Sequence, residues 1–295
     1  MPTYTAISII YNPNSTGSSK DDAKELRNHL QNHYKRLKVT TIATKSAGHA
    51  ETLAKEIALK TKRPLIISSS GDGGYHEVIN GIMEAISQGA KPVCAVLPAG
   101  NANDHSRNVM SQPLAQAVIK EKISKIDLLH IEIRHKNKTL NRYAHSYIGL
   151  GLTPVAAVEL NKQTLNAFRE LKIVLRTFFR FRPFKIEVNG KVLILDSILF
   201  TNISQMAKVL TVSKEASIKD GEFEVVTFPH ARKIALITKL LRASTTGITP
   251  KKSYKNYEFK VLKRMPIQMD GEVSFLEKDS LVKVSSSKQV LPTVL

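Results

Sequence analysis

Three short segments combine residue types and spacings that could handle a phosphate. The sharpest is Ser70-Gly71-Asp72-Gly73-Gly74, which follows an apolar run and precedes a helical one. Closely spaced glycines let backbone N–H groups approach phosphate oxygens. A helix starting just after them adds the positive end of its dipole. Asp72 in that loop could orient Mg2+ or a phosphate-bound water. No Gly-Lys-Ser/Thr follows, so this is not a Walker A loop. Taken alone, the segment serves equally well as a tight strand-to-helix turn. Farther along the chain lies Leu97-Pro98-Ala99-Gly100-Asn101-Ala102-Asn103-Asp104, whose last two residues could simply cap a helix. Nearest the start of the sequence, Asn12-Pro13-Asn14-Ser15-Thr16-Gly17 also reads as a turn.

The elements around these segments alternate. Apolar or β-branched runs at Ala6–Tyr11, Val39–Ala43, Leu65–Ile67 and Val93–Leu97 predict strands. Helical spacing over Asp21–Tyr34, His49–Leu59 and Glu77–Ser87 predicts helices between them. This succession predicts an open sheet flanked by helices. Ligands of such sheets sit at the carboxyl ends of the strands, where all three segments fall. From about residue 125 the character changes. Runs at Lys125–His135, Asn141–Ile148, Phe184–Val188, Lys191–Phe200, Phe223–Phe228, Tyr257–Val261, Ile267–Met269 and Leu281–Val284 read as strands, with helical stretches near 155–180 and 230–243. This second part is mostly β, and a sandwich is expected.

Composition bounds the rest. The length of 295 residues suits two domains, and 42% hydrophobic residues suffice for real cores, which excludes bulk disorder. The single cysteine, Cys94, excludes a disulfide framework or a cysteine-based zinc cluster and fits a reducing compartment. The nine histidines show no metal-ligand spacing. No apolar run approaches the length of a membrane-spanning helix. Met1-Pro2-Thr3-Tyr4 does not begin a signal peptide, so a cytoplasmic location is expected. The net charge of +19 fits either a solvated Lys-rich surface or an anionic partner. A nucleic acid is not favoured, because no recognisable module or aromatic-interleaved basic stripe is present.

In their order and spacing the segments resemble the diacylglycerol kinase catalytic-domain superfamily, which includes bacterial soluble lipid kinases and sphingosine kinases. Asn12-Pro13-x-Ser15 is similar to its NPxSG motif, with one extra residue before Gly17. Thr44 with Gly48-His49-Ala50 is similar to its second-strand threonine and Gly-x-Ala helix start. Ser70-Gly71-Asp72-Gly73 with His76-Glu77-Val78-Ile79-Asn80-Gly81 resembles GGDGTxxEVxNG in a form nearer to sphingosine kinases. Pro98-Ala99-Gly100-x-x-Asn103-Asp104 with Arg107 resembles the bacterial PxGTxNDxAR. Asp220-Gly221 before a strand and Asp270-Gly271-Glu272 resemble its later DG and DGE. The residues alone read more readily as hairpin turns at both places.

The resemblance implies an ATP- and Mg2+-dependent lipid kinase. Its N-terminal α/β domain, residues 1–125, would be an open sheet similar to phosphofructokinase and NAD kinase. A β-sandwich lipid domain would span 126–285, with ATP in the cleft between them. Residues 286–295 would return to the first domain as a strand. Asn12, Pro13, Ser15, Thr44, Ser70, Gly71, Asp72, Gly73, Gly74, Glu77, Gly100, Asn101, Asn103 and Asp104 would then serve the nucleotide. Asp72 and Asp220 would serve Mg2+. Asp270 would accept the proton of the attacking lipid hydroxyl, supported by Glu272. The acceptor is expected to be diacylglycerol or a related lipid at an anionic membrane surface, and a homodimer is common in such proteins.

Some residues depart from the pattern. Gly74 stands where a threonine is usual, Asn101 where PxGT has its threonine, and Lys219 where an acid usually precedes Asp220. A lysine there opposes a cation by Coulomb repulsion. These departures keep open a non-catalytic nucleotide- or lipid-binding homologue, beside sphingoid-base and NAD kinase activities. Arg169, Lys172, Arg176 and Arg180, spaced by three and four, would line one side of a helix beside Phe168, Leu171, Leu175, Phe178 and Phe179. Such a helix could lie on anionic lipid, or pack ordinarily with a solvated basic face.

Overall fold

The computed structural model describes residues 3–15, 17–152, 154, 182–206, 210–211, 216–230 and 252–295. It divides into two compact units, one of residues 1–128 with 288–295 and one of residues 129–287.

The first unit contains β1 (Ala6–Tyr11), α1 (Ser19–His33), β2 (Val39–Ala43), α2 (His49–Lys60), β3 (Pro64–Ser70), α3 (Asp72–Ser87), β4 (Val93–Pro98), α4 (Asp104–Val109) and α5 (Leu114–Ile119). β5 (Ile123–His135) begins here and continues into the second unit. Strands β2-β1-β3-β4 lie side by side and parallel. All seven residues of β3 are buried, as expected of a central strand covered on both faces. Ala23, Leu26 and Leu30 recur at helical spacing along α1 and join Ile7, Ile9, Leu65 and Ile67 in one apolar cluster. A Cβ on Gly81 of α3 would overlap the Glu51 carbonyl of α2, so this glycine lets the two helices touch. The last residues of the chain pair parallel to β4, with Thr293 opposite Cys94, and the Thr293 hydroxyl donates to the Cys94 carbonyl at 3.1 Å.

The second unit is mostly β. Its strands are β6 (Lys138–Ala144), β7 (Tyr147–Gly151), β8 (Phe184–Val188), β9 (Lys191–Thr201), β10 (Gln205–Met206), β11 (Leu210–Thr211), β12 (Phe223–Pro229), β13 (Ser253–Tyr254), β14 (Asn256–Val261), β15 (Met265–Met269), β16 (Glu272–Leu276) and the first part of β17 (Leu281–Val294). Neighbours run antiparallel in the order β16-β15-β7-β9-β8-β14-β17. Alternate residues point inward, so Ile148, Leu150, Ile198, Phe200 and Ile267 share one core with Phe223 and Phe259. Phe200 stacks on Phe259 and meets Phe223 edge-on, at 6.0 and 6.1 Å between centroids.

The sequence reading did not include α5, β13 or β16, and three expected elements differ in extent. α3 begins at Asp72, not Glu77, so the glycine loop is already the first helical turn. The single strand expected over Asn141–Ile148 is two strands separated at His145-Ser146. The short strand expected at Leu281–Val284 is the start of the 14-residue β17. The helical stretches near 155–180 and 230–243, with the basic row Arg169, Lys172, Arg176 and Arg180, lie outside the described residues.

Candidate active site

The three phosphate-type segments leave the carboxyl ends of β1, β3 and β4, and their backbones interlock. The Ser15 hydroxyl donates to the Ala99 carbonyl at 2.7 Å. A Cβ on Gly17 would lie 2.6 Å from the same oxygen, so the first turn rests directly on the third loop. The Ala99 N–H donates to the Ser70 carbonyl at 3.0 Å. A Cβ on Gly100 would overlap the Gly71 Cα, and one on Gly71 would sit 3.1 Å from the Gly100 Cα. Both glycines therefore permit loop-on-loop contact. Asn103, held at φ 52°, clamps the same peptide: its Oδ1 accepts the Gly100 N–H at 2.9 Å and its Nδ2 donates to the Gly100 carbonyl at 2.8 Å.

Asp72 ties the second segment to the third. Its two carboxylate oxygens accept the N–H groups of Asp104 and His105 at 3.0 and 3.1 Å, at the start of α4. Asp104 is itself buried and paired with Arg107 at 2.5 Å. Glu77 reaches back from α3 to α2, where its oxygens accept the Gly48 and Ala50 N–H groups at 2.8 and 3.1 Å. Its place is thus the start of α2. Gly48 has φ 77°, a backbone that favours glycine at this cap. Thr44 is half-buried beyond the end of β2, and its N–H donates to the Tyr11 carbonyl at 2.9 Å. Asn12 and Pro13 are exposed at the end of β1, and the Asn12 Oδ1 accepts the Asn14 N–H at 2.9 Å in a local turn. Asn101 is exposed at the tip of the third loop.

The glycine at position 74 has a local cause. A Cβ there would lie 2.6 Å from the Ser70 hydroxyl and 2.7 Å from its Cβ. Where the usual motif has glycine and then threonine at these positions, this chain has serine and then glycine. The Ser70 hydroxyl turns inward, 2.7 Å from that of Ser68 and 3.0 Å from the Gly71 carbonyl it donates to. Gly71 caps the 16-residue α3, and its carbonyl accepts the Tyr75 N–H at 3.1 Å. The N–H groups of the first turn, from Asp72 to Gly74, point out of the helix end.

The second unit contributes a different construction. Asp270 and Gly271 form the two-residue turn between β15 and β16, with φ of 49° and 98°. Positive φ at both central positions is the hairpin geometry that favours Asp-Gly. Asp270 is fully buried. Its Oδ2 accepts the His145 N–H at 2.8 Å, and its Oδ1 accepts those of Ser146 and Tyr147 at 2.9 and 3.0 Å. The His145 ring completes the cluster, with Nε2 3.5 Å from Asp270 and Nδ1 2.7 Å from the Ser146 hydroxyl. These bonds divide β6 from β7. Asp270 thus has no face open to solvent, whereas Glu272, two residues on, is exposed at the start of β16. Asp220 is exposed, and its Oδ1 accepts the Glu222 N–H at 2.9 Å. Among the described residues no three His, Cys, Asp or Glu side chains converge as a metal cage. The sequence had offered no sign of His145 or Ser146, because their link to Asp270 is purely tertiary.

Comparison with known proteins agrees with this frame. Residues 6–131 match the family model for the diacylglycerol kinase catalytic domain. The diacylglycerol kinase of Bacillus subtilis (strain 168) is 39% identical over 101 residues, which are 34% of this chain and 31% of that protein. The chain therefore spans about a third of that relative in the matched region. The diacylglycerol kinase of Staphylococcus aureus (strain bovine RF122 / ET3-1) is 27% identical over 292 residues, covering 90% of this chain and 85% of that protein. A crystal structure of a diacylglycerol kinase from Bacillus anthracis str. Sterne superposes over 100% of this chain and 98% of that one, with a TM-score of 0.73 at 17% identity. That last likeness is one of fold. The match to the diacylglycerol kinase catalytic domain thus falls on residues 6–131, and the likeness to whole diacylglycerol kinases extends over most of the chain.

Proposed function

We propose that this chain is an ATP- and Mg2+-dependent lipid kinase, moving the γ-phosphate of ATP onto a hydroxyl of diacylglycerol or a related lipid at an anionic membrane surface. The observation that carries the reading is the interlock of three loops at the carboxyl ends of β1, β3 and β4 around the start of α3. Phosphoryl transfer asks for alignment and charge neutralisation more than for covalent chemistry. A rigid set of loops beside a long helix's positive end supplies both for a triphosphate. In this reading Gly73 and Gly74 offer N–H groups to phosphate oxygens, and Asn12 and Thr44 border the nucleotide. Asp72 acts as a positioning residue, because both its oxygens already hold α4.

Mg2+ fits the chain as an ion carried by the nucleotide. Magnesium keeps several waters and needs only one or two carboxylates beside phosphate oxygens. Asp72, at the start of α3, and the exposed carboxylate of Asp220 are the residues that would hold it. When bound, the ion would neutralise phosphate charge.

The DGE turn divides its labour. Glu272 takes the proton of the attacking hydroxyl, since a base must reach within hydrogen-bonding distance of it. Asp270 holds the turn and the 145–147 backbone, a role its burial supports. A sphingoid base is the second reading, favoured by the Ser-Gly-Asp-Gly form of the loop. A transfer assay with γ-labelled ATP separates them, using micelles of diacylglycerol, a sphingoid base or phosphatidylglycerol. Label in diacylglycerol supports the first reading and label in the sphingoid base the second. Bound ATP with no labelled lipid would sink both.

A further inference from the structure

A cavity lies in the first unit, at the opposite end of its strands from the loops described above. It encloses about 430 Å³, and Arg63, Lys91 and Lys125 line it together with the apolar Ile86, Val290 and Pro292. Arg63 immediately precedes β3, and Lys91 stands two residues before β4. The parallel register, Leu65 opposite Val93, sets both cations at the amino ends of the sheet. The cavity shares no residue with the candidate active site.

The charge lining the cavity is one-sided. No acidic residue lines the cavity. Arg63, Lys91 and Lys125 are exposed and make no ion pair among the described residues. The helix-to-strand connections 34–38, 61–63 and 88–92 contain Lys35, Arg36, Lys38, Lys62, Arg63 and Lys91 and no Asp or Glu, while the fourth, 120–122, carries Glu121 between Lys120 and Lys122, where its Oε1 accepts the Thr3 N–H at 2.8 Å. Helix C-termini favour a nearby cation, which accounts for some of these. It does not account for Lys125, which comes from β5 and closes the same ring.

We propose that this cavity binds the phosphate headgroup of an anionic lipid. Three unpaired cations suit a phosphate monoester, which carries close to two negative charges at neutral pH. The apolar lining then favours a ligand whose phosphate is attached to a hydrocarbon chain. Free phosphate gains nothing from Ile86, Val290 or Pro292, and exposed lysines hold it weakly against water and salt. A bilayer presents headgroup and methylenes together, where each cation adds to binding. The proposal stands apart from the kinase reading, since it needs neither nucleotide nor catalysis.

Vesicle flotation of the full chain tests it, without ATP, on phosphatidylcholine alone and on phosphatidylcholine doped with phosphatidic acid. The two variants are Arg63→Glu with Lys91→Glu and Lys125→Glu, and a charge-matched control, Lys136→Glu with Lys138→Glu and Lys191→Glu, all exposed in the second unit. All six changes are at exposed positions, and a thermal melt checks that both variants fold. The wild type is expected to float only with the doped vesicles. The cavity variant should lose binding by roughly tenfold to a hundredfold while the control stays within about twofold. Millimolar inorganic phosphate should not displace the protein. Equal losses in the two variants would reduce the effect to net charge and overturn the proposal. So would absence of wild-type binding, an unaffected cavity variant, or displacement by inorganic phosphate, the last pointing to a free-phosphate site.

Discussion

Replacing Asp270 separates an anchoring carboxylate from a catalytic one. Its two oxygens receive three backbone N–H groups inside the second unit, where water cannot substitute. An asparagine with its oxygen at the Oδ1 position keeps Ser146 and Tyr147, but its amide then confronts the His145 N–H. One unmet buried donor costs about 1–3 kcal/mol. A loss near 2 kcal/mol lowers the melting temperature of a domain this size by roughly 4–8 °C. The positive φ adds no penalty, because asparagine tolerates it. Asp270→Ala leaves all three donors unmet, about 3–9 kcal/mol, which approaches the full stability of an ordinary domain of about 5–15 kcal/mol. Glu272→Gln changes an exposed side chain and should melt within about 0.5 kcal/mol of the wild type. The assay is thermal unfolding of the three variants, with amide exchange at residues 145–147. Asp270→Asn should melt lower with faster exchange at those amides, and Asp270→Ala should unfold the unit. An Asp270→Asn chain that melts and exchanges like the wild type would refute the anchoring argument.

Other consequences follow from the same geometry. Gly100→Ala pushes a methyl into the Gly71 backbone and should part the second and third loops, so MgATP affinity by calorimetry should fall at least tenfold, roughly the effect of 1.4 kcal/mol. Unchanged affinity would show that the loop contact does not shape the nucleotide site. Asp72→Ala leaves the Asp104 and His105 N–H groups without their carboxylate, so amide exchange at the start of α4 should accelerate even without nucleotide; exchange that stays slow would deny the tie. Burial pushes the Cys94 thiol from its ordinary 9.0 up to about 12, against a smaller opposing pull from a Tyr75 hydrogen bond. The unfolded thiol therefore loses its proton first, so this contribution is intact below pH 9 and declines between pH 9 and 12 by up to about 1.4 kcal/mol per pH unit. Urea melts across that window should decline less steeply for Cys94→Ala, and parallel slopes would contradict the burial argument.

What could be read from the sequence was whatever repeats locally. Apolar runs and helical spacing gave the alternation of the first unit, and the glycine- and asparagine-rich turns fell at the strand ends where ligands bind. Propensity hides the true start of α3, because Asp72, Gly73 and Gly74 are poor helix formers whose helical state depends on the packing of Gly74 on Ser70 and of Gly71 on Gly100. The carboxylates were harder still. Asp72 meets its partners 32 and 33 residues away, and Asp270 meets its partners 123 to 125 residues away. Those partners are backbone N–H groups, which every residue except proline carries, so no residue type at the far end announces the bond. The bonds of Glu77 are equally silent in the sequence, since its oxygens accept the Gly48 and Ala50 N–H groups at the start of α2. His145 became visible only once the Asp270 turn had closed on it.

The most direct test of the account is phosphoryl transfer itself: γ-labelled MgATP with diacylglycerol micelles, wild type beside Glu272→Gln, with nucleotide binding measured on both. The account predicts label in the lipid with the wild type. It predicts equal ATP affinity in the variant, with transfer reduced by about a hundredfold to ten-thousandfold, the range for loss of a general base. A wild type that binds MgATP but labels no lipid, or a Glu272→Gln chain that transfers at the wild-type rate, would contradict it.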